Sequence, residues 1–415
     1  MPEHVVLNWG GSPADCQNIT WRTSSPAARP VAEVALATAA PYDTTGLREV
    51  AAEVQPVKAL DGETYTYYTA YVKNLRPNTL YRYRVGSAQH GFSAWYQFTT
   101  APAQPELFSF LYLGDIQNDI RSWGTRTIWE AFKKKPDARF MLFAGDCVDH
   151  GHSSSEWNEW FDALGQLPAQ LPLVPVAGNH EYDPLQSGSE EEAISLFWRP
   201  QFALPENGPD GMEESVYYID YPGMRLVVLN SLLAISDTDA LDRQTVWLRS
   251  VLEDNPQKWT VVSFHHPLFS ARDGSHGDYP SLREHWWPVL EQYNVDLVLM
   301  GHDHMYGRSS RQRKTITVPA GHTGPVYVVS VAGPKMYGMD EARRWADRVA
   351  VNAQLYQVVS IDGDTLEFKT YTADNVLYDA FVLSKTSDGY NRMEECGFLM
   401  NGSEHTFPDG HYTNK

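Results

Sequence analysis

Short apolar runs alternate with amphipathic segments from about residue 107 to residue 301. Runs such as FSFLYL and LVLM have the length and composition of buried strands, and segments such as DRQTVWLRSVLEDN have helical periodicity. Apolar strands that are separated by helices form a largely parallel or mixed sheet that is covered on both faces. The sequence therefore predicts an α/β domain for this part of the chain.

The N-terminal part of the chain has the pattern of an all-β domain instead. Five segments alternate polar and apolar residues and are rich in β-branched and aromatic types: NITWRT, AEVALATA, TYTYYTAYVKNL, TLYRYRVGS and AWYQFTT. Turn sequences separate them, and APAQPE reads as a linker. Strand patterns return from about residue 325, and the end of the chain is polar and weakly patterned. We predict a β-sandwich over residues 1–104, a second domain over residues 105–385 and a C-terminal tail over residues 386–415.

The composition argues against several classes of function. The formal net charge of −19 disfavours nucleic acid as a partner, because a phosphate backbone repels an acidic surface. No apolar run reaches the roughly 18 residues that a membrane-spanning helix needs. Three cysteines are too few for a disulfide scaffold. We expect Cys147 to be a buried thiol, whereas Cys16 and Cys396 either pair or stay free. No signal peptide is visible at MPEHVVLNWG, and a leader trimmed from a precursor would leave the same start.

Polar side chains follow the apolar runs at the point where each predicted strand ends. In open α/β sheets this edge carries the functional site. A single Asp or His in such a place is usually a turn residue or a core residue, but five successive strand ends with polar residues predict a metal site. Four of the five positions follow a glycine, which permits a sharp turn. The residues are Asp115, Asp146, Asn179 with His180, His265 with His266, and His302 with His304.

The donor set indicates which metals this site binds. Carboxylate, amide and imidazole groups are suitable ligands for Mn, Zn or Fe. The number of donors suggests two ions, and a carboxylate such as Asp146 can bridge them. Two neighbouring ions clamp a phosphoryl group and lower the pKa of a bridging water. The sequence therefore predicts a two-metal centre that acts on phosphate esters.

Five short motifs carry a resemblance to a known family. GDIQ, GDCVD, GNHE, FHHP and GHDHMY resemble, in order and spacing, the signature of the calcineurin-like metallophosphoesterases over about residues 110 to 310. The N-terminal segment resembles a fibronectin type III domain, and GHDHMYGRS together with GDTLEFKTYTADNVLYDAFVLSK is similar to the purple acid phosphatase branch. This resemblance implies a β-sandwich followed by a four-layer αββα domain, that is, a chain of mixed α+β and α/β class.

The resemblance also implies a role for each matched residue. The implied ligands of metal site one are Asp115, Asp146 and His304. The implied ligands of metal site two are Asp146, Asn179 through its amide oxygen, His265 and His302. His180 is expected to contact the phosphoryl group or to protonate the leaving oxygen. His276 lies on a glycine-rich loop and is either a second substrate-contacting histidine or a surface residue, and His266 is expected to support the site.

The sequence departs from the purple branch at the ligands of site one. Those enzymes have a Tyr three residues after the bridging Asp, and its phenolate binds ferric iron and gives the colour. That position is Asp149 here, and Gln117 occupies the place of a His that other family members have two residues after the first Asp. Gln117 can supply a neutral amide oxygen, and Asp149 can act as a ligand or hold a histidine. We expect a divalent pair of Mn, Zn or Fe and a colourless protein.

The predicted function is that of a phosphoric ester hydrolase that acts on a small phosphorylated substrate. The resemblance favours a phosphomonoesterase, similar to an acid phosphatase, in which a metal-bridging hydroxide attacks phosphorus. One alternative is a phosphodiesterase of the same fold, because the acidic insert at residues 183–215 disfavours a doubly charged monoester. Another alternative is a binding or adhesion protein in which the phosphoesterase domain is degenerate and the β-sandwich carries the function. We expect a secreted, periplasmic or cell-surface location after removal of a leader, with a cytoplasmic one as the alternative. The sequence leaves the oligomeric state open.

Overall fold

The computed structural model describes residues 1–185, 191–272, 279–310, 318–339 and 345–396, and the backbone of His405–Thr406. The fully described residues 1–104 contain nine strands. They are β1 (Glu3–Asn8), β2 (Gln17–Thr23), β3 (Val31–Leu36), β4 (Arg48–Ala51), β5 (Glu53–Lys58), β6 (Thr64–Val72), β7 (Leu80–Ser87), β8 (Gly91–Phe92) and β9 (Tyr96–Thr99).

These strands form two sheets that face each other. One has the order β1-β2-β6-β5, and the other has the order β4-β3-β7-β8 with β9 also paired to β7. The core between them combines Trp21 and Tyr68 of the first sheet with Val34, Tyr83 and Phe98 of the second. Because each sheet contributes one apolar face to this core, the N-terminal part is a β-sandwich.

The strands of the second domain follow the linker. They are β10 (Phe108–Leu113), β11 (Met141–Phe143), β12 (Leu173–Pro175), β13 (Tyr182–Pro184), β14 (Glu192–Ile194), β15 (Tyr217–Tyr221), β16 (Met224–Val228), β17 (Trp259–Ser263), β18 (Leu297–Met300), β19 (Tyr306–Ser309), β20 (Val326–Val329), β21 (Arg348–Val351), β22 (Leu355–Asp362), β23 (Thr365–Thr372), β24 (Leu377–Lys385), β25 (Asn391–Glu395) and β26 (His405–Thr406).

The helices lie between these strands. They are α1 (Thr125–Lys134), α2 (Ser154–Leu164), α3 (Trp198–Gln201), α4 (Ser231–Ser236), α5 (Thr238–Glu253), α6 (Pro280–His285) and α7 (Trp287–Gln292). A short π-helical segment covers Ile120–Gly124, and 3-10 turns cover Leu167–Ala169 and Asn179–Glu181. None of the described helices is long and apolar enough to cross a bilayer.

Two mixed sheets organise the second domain. The first has the order β12-β11-β10-β22-β23-β24-β25, in which β10, β11 and β12 are parallel. The second has the order β15-β16-β17-β18-β20-β19-β21-β26, in which β16, β17, β18 and β20 are parallel. The parallel strands of both sheets therefore end at edges where side chains from different motifs can meet.

Alternating residues of the second sheet belong to two different cores. Leu297 and Leu299 pack into the core shared with the first sheet, whereas Val298 and Met300 pack with helices α5, α6 and α7. This alternation is what a strand with two buried faces requires. On the other side, α1 packs on β10 and β22, and Trp160 of α2 contacts Phe143 of β11. The result is the four-layer αββα arrangement, which confirms the predicted fold class.

Side chains of the sandwich reach the second domain through buried hydrogen bonds. The Nδ2 atoms of Asn8 and Asn18 donate to the carbonyl oxygens of Leu173 and Ala203, each at 2.8 Å. The hydroxyl of Tyr83 donates to the carbonyl of Ala169 at 2.6 Å. Leu173 lies in β12, which leads to the GNHE motif, so the sandwich supports an element that carries part of the site.

The end of the chain is more regular than its composition suggests. Strand β25, which lies within the predicted tail, pairs antiparallel with β24 at the edge of the first sheet. Strand β26 pairs parallel with β21. The division of the chain at residues 104 and 385 stays a prediction. Cys16, Cys147 and Cys396 are all free thiols, and Cys147 is buried.

Candidate metal centre

The polar residues at the strand ends of the two sheets lie next to one another. Asp115, Asp146 and Asn179 follow β10, β11 and β12 of the first sheet, and their loops meet those that follow β17 and β18 of the second sheet. The latter loops carry His265, His302 and His304. The backbone amide of His302 donates to both carboxylate oxygens of Asp115 at 2.9 Å, which links the two sheets directly.

Four of these residues have left-handed backbone conformations. The φ angles are 36° for Asp115, 50° for Asp146, 73° for His302 and 50° for His304. Residues other than glycine rarely adopt such angles, and Asp and His are among the types that tolerate them best. Such conformations cluster at functional sites, where surrounding contacts hold the strained backbone in place. The tight turns point the donor side chains into a common space.

The donors form two groups that share one carboxylate. Ligand atoms of Asp146, His265 and His302 lie within 4.8 Å of one another, and so do those of Asp115, Asp146 and His304. Within these groups, Nε2 of His265 is 3.1 Å from Oδ2 of Asp146, and Nε2 of His304 is 3.6 Å from Oδ1 of Asp115. The structure therefore brings together the predicted members of both metal sites around Asp146.

Asn179 adds its amide oxygen to the second group. The Oδ1 atom of Asn179 lies 3.1 Å from Nε2 of His265 and 3.0 Å from Nδ1 of His302. One oxygen and two imidazole nitrogens thus converge on one point, at the side of Asp146 that faces His265. This set of atoms has the composition expected of a site for a divalent transition metal.

Contacts on the far side of each imidazole fix its orientation. The Nδ1 atom of His265 donates to the carbonyl of Ala144 at 2.8 Å, and that of His304 donates to the carbonyl of Lys335 at 2.9 Å. Since a carbonyl only accepts, both rings donate from Nδ1 and turn Nε2 towards the carboxylates, which makes Nε2 the atom available to a metal ion. For His302 the outer contact is Nε2 with the hydroxyl of Tyr279 at 2.7 Å. Outer contacts of this kind are usual around metal-binding histidines.

The electrostatics of the cluster fit bound cations. Burial raises the pKa of the Asp115 carboxyl well above its ordinary value, and the nearby Asp146 adds to this effect. Burial lowers the pKa of His304 to about 3. Burial also acts to lower the pKa of His265, but the Asp146 carboxylate outweighs it and raises that pKa to about 10. In the metal-free protein a proton on His265 therefore offsets the buried carboxylates, a task that a cation performs when it binds.

The side-chain amide of Gln117 is held by Asp149. Its Nε2 atom donates to Oδ1 of Asp149 at 3.1 Å, and its buried Oε1 atom has no hydrogen-bond partner among the described residues. A buried amide oxygen without a partner is unfavourable unless a cation or water binds it. Asp149 itself belongs to neither donor group in the described part of the chain. Asp149 thus fixes the amide of Gln117, and the choice between these two residues as a further ligand stays a prediction.

The carboxylate of Asp149 also lies close to the side chains of His180 and Lys335. Its Oδ1 atom lies 3.4 Å from Nδ1 of His180 and 3.7 Å from Nζ of Lys335. Burial acts to raise the pKa of Asp149, but His180 and Lys335 outweigh it and the pKa lies below its ordinary value. Asp149 is therefore a carboxylate that connects Gln117, His180 and Lys335.

The three remaining predicted histidines differ in placement. The backbone amide of His180 donates to Oδ1 of Asp146 at 3.0 Å, and its Nδ1 atom donates to the carbonyl of Asp149 at 2.7 Å. Its Nε2 atom is left for other partners. His266 is buried, pairs with Ser231 Oγ at 2.9 Å and packs on His302, so it supports the site as expected. His276 lies outside the described residues.

Glu181 is a residue beside the site that sequence reasoning misses. It is fully buried, and its carboxylate accepts hydrogen bonds from the backbone amides of Asp146, Cys147 and Gly178 at 2.7 to 2.9 Å. A Cβ atom at Gly178 would overlap Oδ1 of Asp146, so this close approach requires glycine. The sequence signal for this residue lies in the GNHE motif, where an acidic residue follows two candidate site residues.

Family models match both parts of the chain. Residues 108–306 match the calcineurin-like phosphoesterase model, and residues 2–100 match the purple acid phosphatase N-terminal domain. The chain is 25% identical over 327 residues to purple acid phosphatase 1 of Ipomoea batatas, an alignment that covers 72% of this chain and 68% of the relative. It is 25% identical over 260 residues to Fe(3+)-Zn(2+) purple acid phosphatase 12 of Arabidopsis thaliana, covering 60% of this chain and 54% of the relative.

A solved structure has the same fold over nearly the whole chain. The purple acid phosphatase PPD1 of yellow lupin seeds superposes with a TM-score of 0.78 at 18% identity, covering 94% of this chain and 75% of the lupin chain. Fold, donor set and family models define a metal-dependent phosphoesterase of the calcineurin-like class. Within that class the N-terminal model and the relatives make the chain similar to the purple acid phosphatase branch.

Proposed function

We propose that the protein is a two-metal phosphomonoesterase that hydrolyses small phosphorylated compounds. The observation that carries this proposal is the sharing of Asp146 between two groups of donors. A shared carboxylate holds two cations beside each other, and such a pair can bind one phosphoryl group. The relatives named as purple acid phosphatases support the monoester over the diester.

The proposal assigns each donor to one of two ions. Ion one is held by Asp115, Asp146, His304 and the amide oxygen of Gln117. Ion two is held by Asp146, Asn179, His265 and His302. When bound, the ions offset charge on the phosphoryl oxygens and lower the pKa of bound water. Two observations support this assignment: the buried Oε1 atom of Gln117 has no hydrogen-bond partner in the part of the chain that the structure describes, and His265 and His304 donate from Nδ1 to backbone carbonyls on their far sides.

We propose a divalent pair of Mn, Zn or Fe. A ferric ion is favoured by a phenolate, and position 149 offers a carboxylate instead. Two tyrosines close to the motifs are engaged elsewhere: the hydroxyl of Tyr306 donates to Asp379 at 2.8 Å, and that of Tyr182 accepts from Asn230 at 2.7 Å. Neither hydroxyl is placed to bind an ion at the donor cluster.

His180 is the proposed proton donor to the leaving oxygen. Its Nδ1 atom is fixed on the carbonyl of Asp149, so the ring presents Nε2 to a substrate bound beside Asp146. A histidine in this position can supply the proton that the leaving alkoxide needs. His276 is proposed as a second substrate-contacting histidine on the resemblance of its loop alone.

One experiment tests the function directly. Purified protein is analysed for bound metals and then assayed on matched monoesters and diesters, with the exposed Asp162→Asn variant as the control for Asp146→Asn. We expect about two metal ions per chain and a higher kcat/KM for monoesters. A metal-free protein without activity would contradict the proposal and favour a degenerate binding domain, and a preference for diesters would favour the phosphodiesterase.

We also propose an extracytoplasmic location, which rests on the resemblance to the purple acid phosphatase branch. Cell fractionation of the native organism with an antibody to this chain tests it. Recovery of the protein in the cytoplasmic fraction alone would overturn this part of the proposal.

A further inference from the structure

A cavity of about 690 Å³ lies beside the metal centre. Its lining combines the segment after Asp115 with three others, residues 334–336, 352–354 and 372–374. The side chains that matter for its chemistry are Asn118, Trp123, Arg126, Lys335 and Asp374. The volume falls within the range of about 300–1,000 Å³ that is typical of small-molecule sites.

Two lining residues connect this cavity to the proposed metal centre. The carbonyl of Lys335 accepts the hydrogen bond from Nδ1 of His304, and its Nζ atom lies 3.7 Å from Oδ1 of Asp149. Asn118 directly follows Gln117, and its side chain hydrogen-bonds to Asp149. The metal donors themselves do not line the cavity. A phosphoryl group at the donors therefore has the cavity as a neighbouring space for the rest of the substrate.

Trp123 gives the cavity an exposed aromatic wall. It is 46% exposed, whereas seven other tryptophans of the chain are buried. The guanidinium carbon of Arg126 lies 5.9 Å from its ring centroid. An exposed indole is suited to bind a flat ring by stacking, and the neighbouring guanidinium is attracted to aromatic rings as well.

The backbone under Trp123 is held in an unusual conformation. Asn118 and Asp119 have left-handed φ angles of 66° and 46°, and the π-helical segment Ile120–Gly124 follows directly. The Nε2 atom of Gln354 donates to the carbonyl of Trp123 at 3.0 Å and to that of Ala332 at 2.9 Å. Segments of π-helix often occur at functional sites. This loop is thus anchored across the cavity, which keeps the indole in place.

The formal charges around the cavity cancel. Arg126 and Lys335 are offset by Asp119 and Asp374. A second phosphate group would therefore gain little from this environment, because each cation has a carboxylate near it. A neutral ligand with hydroxyl and ring nitrogen groups would instead find both donors and acceptors.

We propose that this cavity is the subsite for the leaving alcohol of the phosphoester, and that it selects uncharged alcohols that carry an aromatic ring, as nucleosides do. The proposal rests on the proposed phosphomonoesterase function and specifies its substrate class. Trp123 acts as a stacking surface for the ring and is a specificity-determining residue, and Asp374 offers a hydrogen-bond acceptor to the hydroxyl groups of the alcohol.

The test compares two substrates in three proteins, the wild type and two variants of Trp123. Adenosine 5′-monophosphate carries the ring and glycerol phosphate lacks it, so both are assayed with the wild-type protein, Trp123→Ala and Trp123→Phe. We expect Trp123→Ala to lower kcat/KM for adenosine monophosphate about tenfold, mostly through KM, because the base loses the aromatic side chain on which it stacks. The effect on glycerol phosphate should be several times smaller, and Trp123→Phe should retain most of the preference.

A control and a second readout complete the test. Trp95→Ala removes a similarly exposed indole, 42% exposed, from the sandwich and should leave both substrates unaffected. Adenosine alone should inhibit the wild type competitively and should inhibit Trp123→Ala at least several times more weakly. Equal losses on both substrates, or no loss on either, would overturn the subsite while leaving phosphatase activity established. A wild-type protein without any phosphatase activity would overturn the proposed function itself.

Discussion

The buried carboxylate of Glu181 accepts a hydrogen bond from the backbone amide of Asp146 at 2.9 Å. It accepts two more from Cys147 and Gly178, so a single side chain holds the loops after β11 and β12 together. Burial and the nearby Asp146 raise the pKa of this carboxyl. The position of the shared donor thus depends on a residue that contacts no substrate.

Replacement of Glu181 by Gln should weaken metal binding. The amide NH2 cannot accept from a backbone N–H, so at least one of the three hydrogen bonds is lost and Asp146 becomes less well positioned. We expect the affinity for metal to fall about 10–100-fold, the range seen when outer contacts of metal ligands are removed. Titration of the metal-free protein measures this, with the exposed Glu253→Gln as control. An unchanged affinity would show that Glu181 has only a structural role.

Replacement of Asp146 by Asn should reduce the binding of both ions. The carboxylate is shared by the two donor groups, and the amide removes its charge from each. Metal content and turnover should therefore fall together, whereas loss of a donor that serves one ion should spare the other. Elemental analysis alongside activity distinguishes these cases. Full turnover with two ions retained would contradict the assignment of Asp146 as the bridge.

Substitutions of Gln117 and Asp149 should change the binding of one ion only. Gln117→Ala removes the amide oxygen of site one, so we expect one tightly bound and one weakly bound ion per chain. Asp149→Asn keeps an oxygen that can accept from Gln117 Nε2, so it should have a smaller effect on metal binding than Gln117→Ala. Calorimetric titration of the metal-free variants gives both affinities. The reverse order of the two effects would make Asp149, rather than Gln117, the ligand.

The protein should be colourless in its active form. A visible charge-transfer band needs a phenolate bound to ferric iron, and Asp149 occupies the position where the purple branch has Tyr. The hydroxyl of Tyr306 is engaged by Asp379 and Thr370. The absorption spectrum of protein loaded with iron, manganese or zinc is the measurement. A purple preparation whose band disappears on Tyr306→Phe would refute the expectation.

Glu214 should make the stability fall with rising pH. Burial raises its pKa to about 7, so the folded protein binds a proton that the unfolded chain releases near its ordinary value of 4.5. The cost of ionising this buried carboxyl in the folded protein is absent below about pH 4.5. As the pH rises through 7, this cost lowers the free energy of unfolding. We expect Glu214→Gln to raise the free energy of unfolding at pH 8 by about 2 kcal/mol and to change it little at pH 4.5. Equal effects at both pH values, measured by urea denaturation of the metal-free protein, would contradict this.

The sequence predicts which polar residues come together at the strand ends, because these residues obey a local rule. Each follows an apolar run, and strands that end at a common edge bring such residues together. Asp115, Asp146 and His302 could be found in this way, although neither their distances nor the sharing of Asp146 follows from spacing alone. The strand β25 was missed because its residues, Asn391–Glu395, are polar, and an edge strand needs no apolar face when its partner supplies the hydrogen bonds.

Other parts of the site depend on contacts between distant segments. Lys335 is separated from His304 by 31 residues, and only the fold shows that its carbonyl orients the imidazole. Trp123 is also unremarkable in the sequence, because an exposed indole and a buried one have the same local pattern. Its exposure becomes visible only when the cavity around it is formed.

The left-handed backbone at Asp115, Asp146, His302 and His304 has an evolutionary consequence. Each such conformation costs a non-glycine residue roughly 1–3 kcal/mol, so glycine would remove that backbone strain at these four positions. Selection for hydrolytic activity opposes the replacement of these four residues by glycine. We expect a descendant that has lost catalysis to accumulate Gly or Asn at these turns before it loses the surrounding strands. Such replacements would identify an inactive relative whose fold is intact.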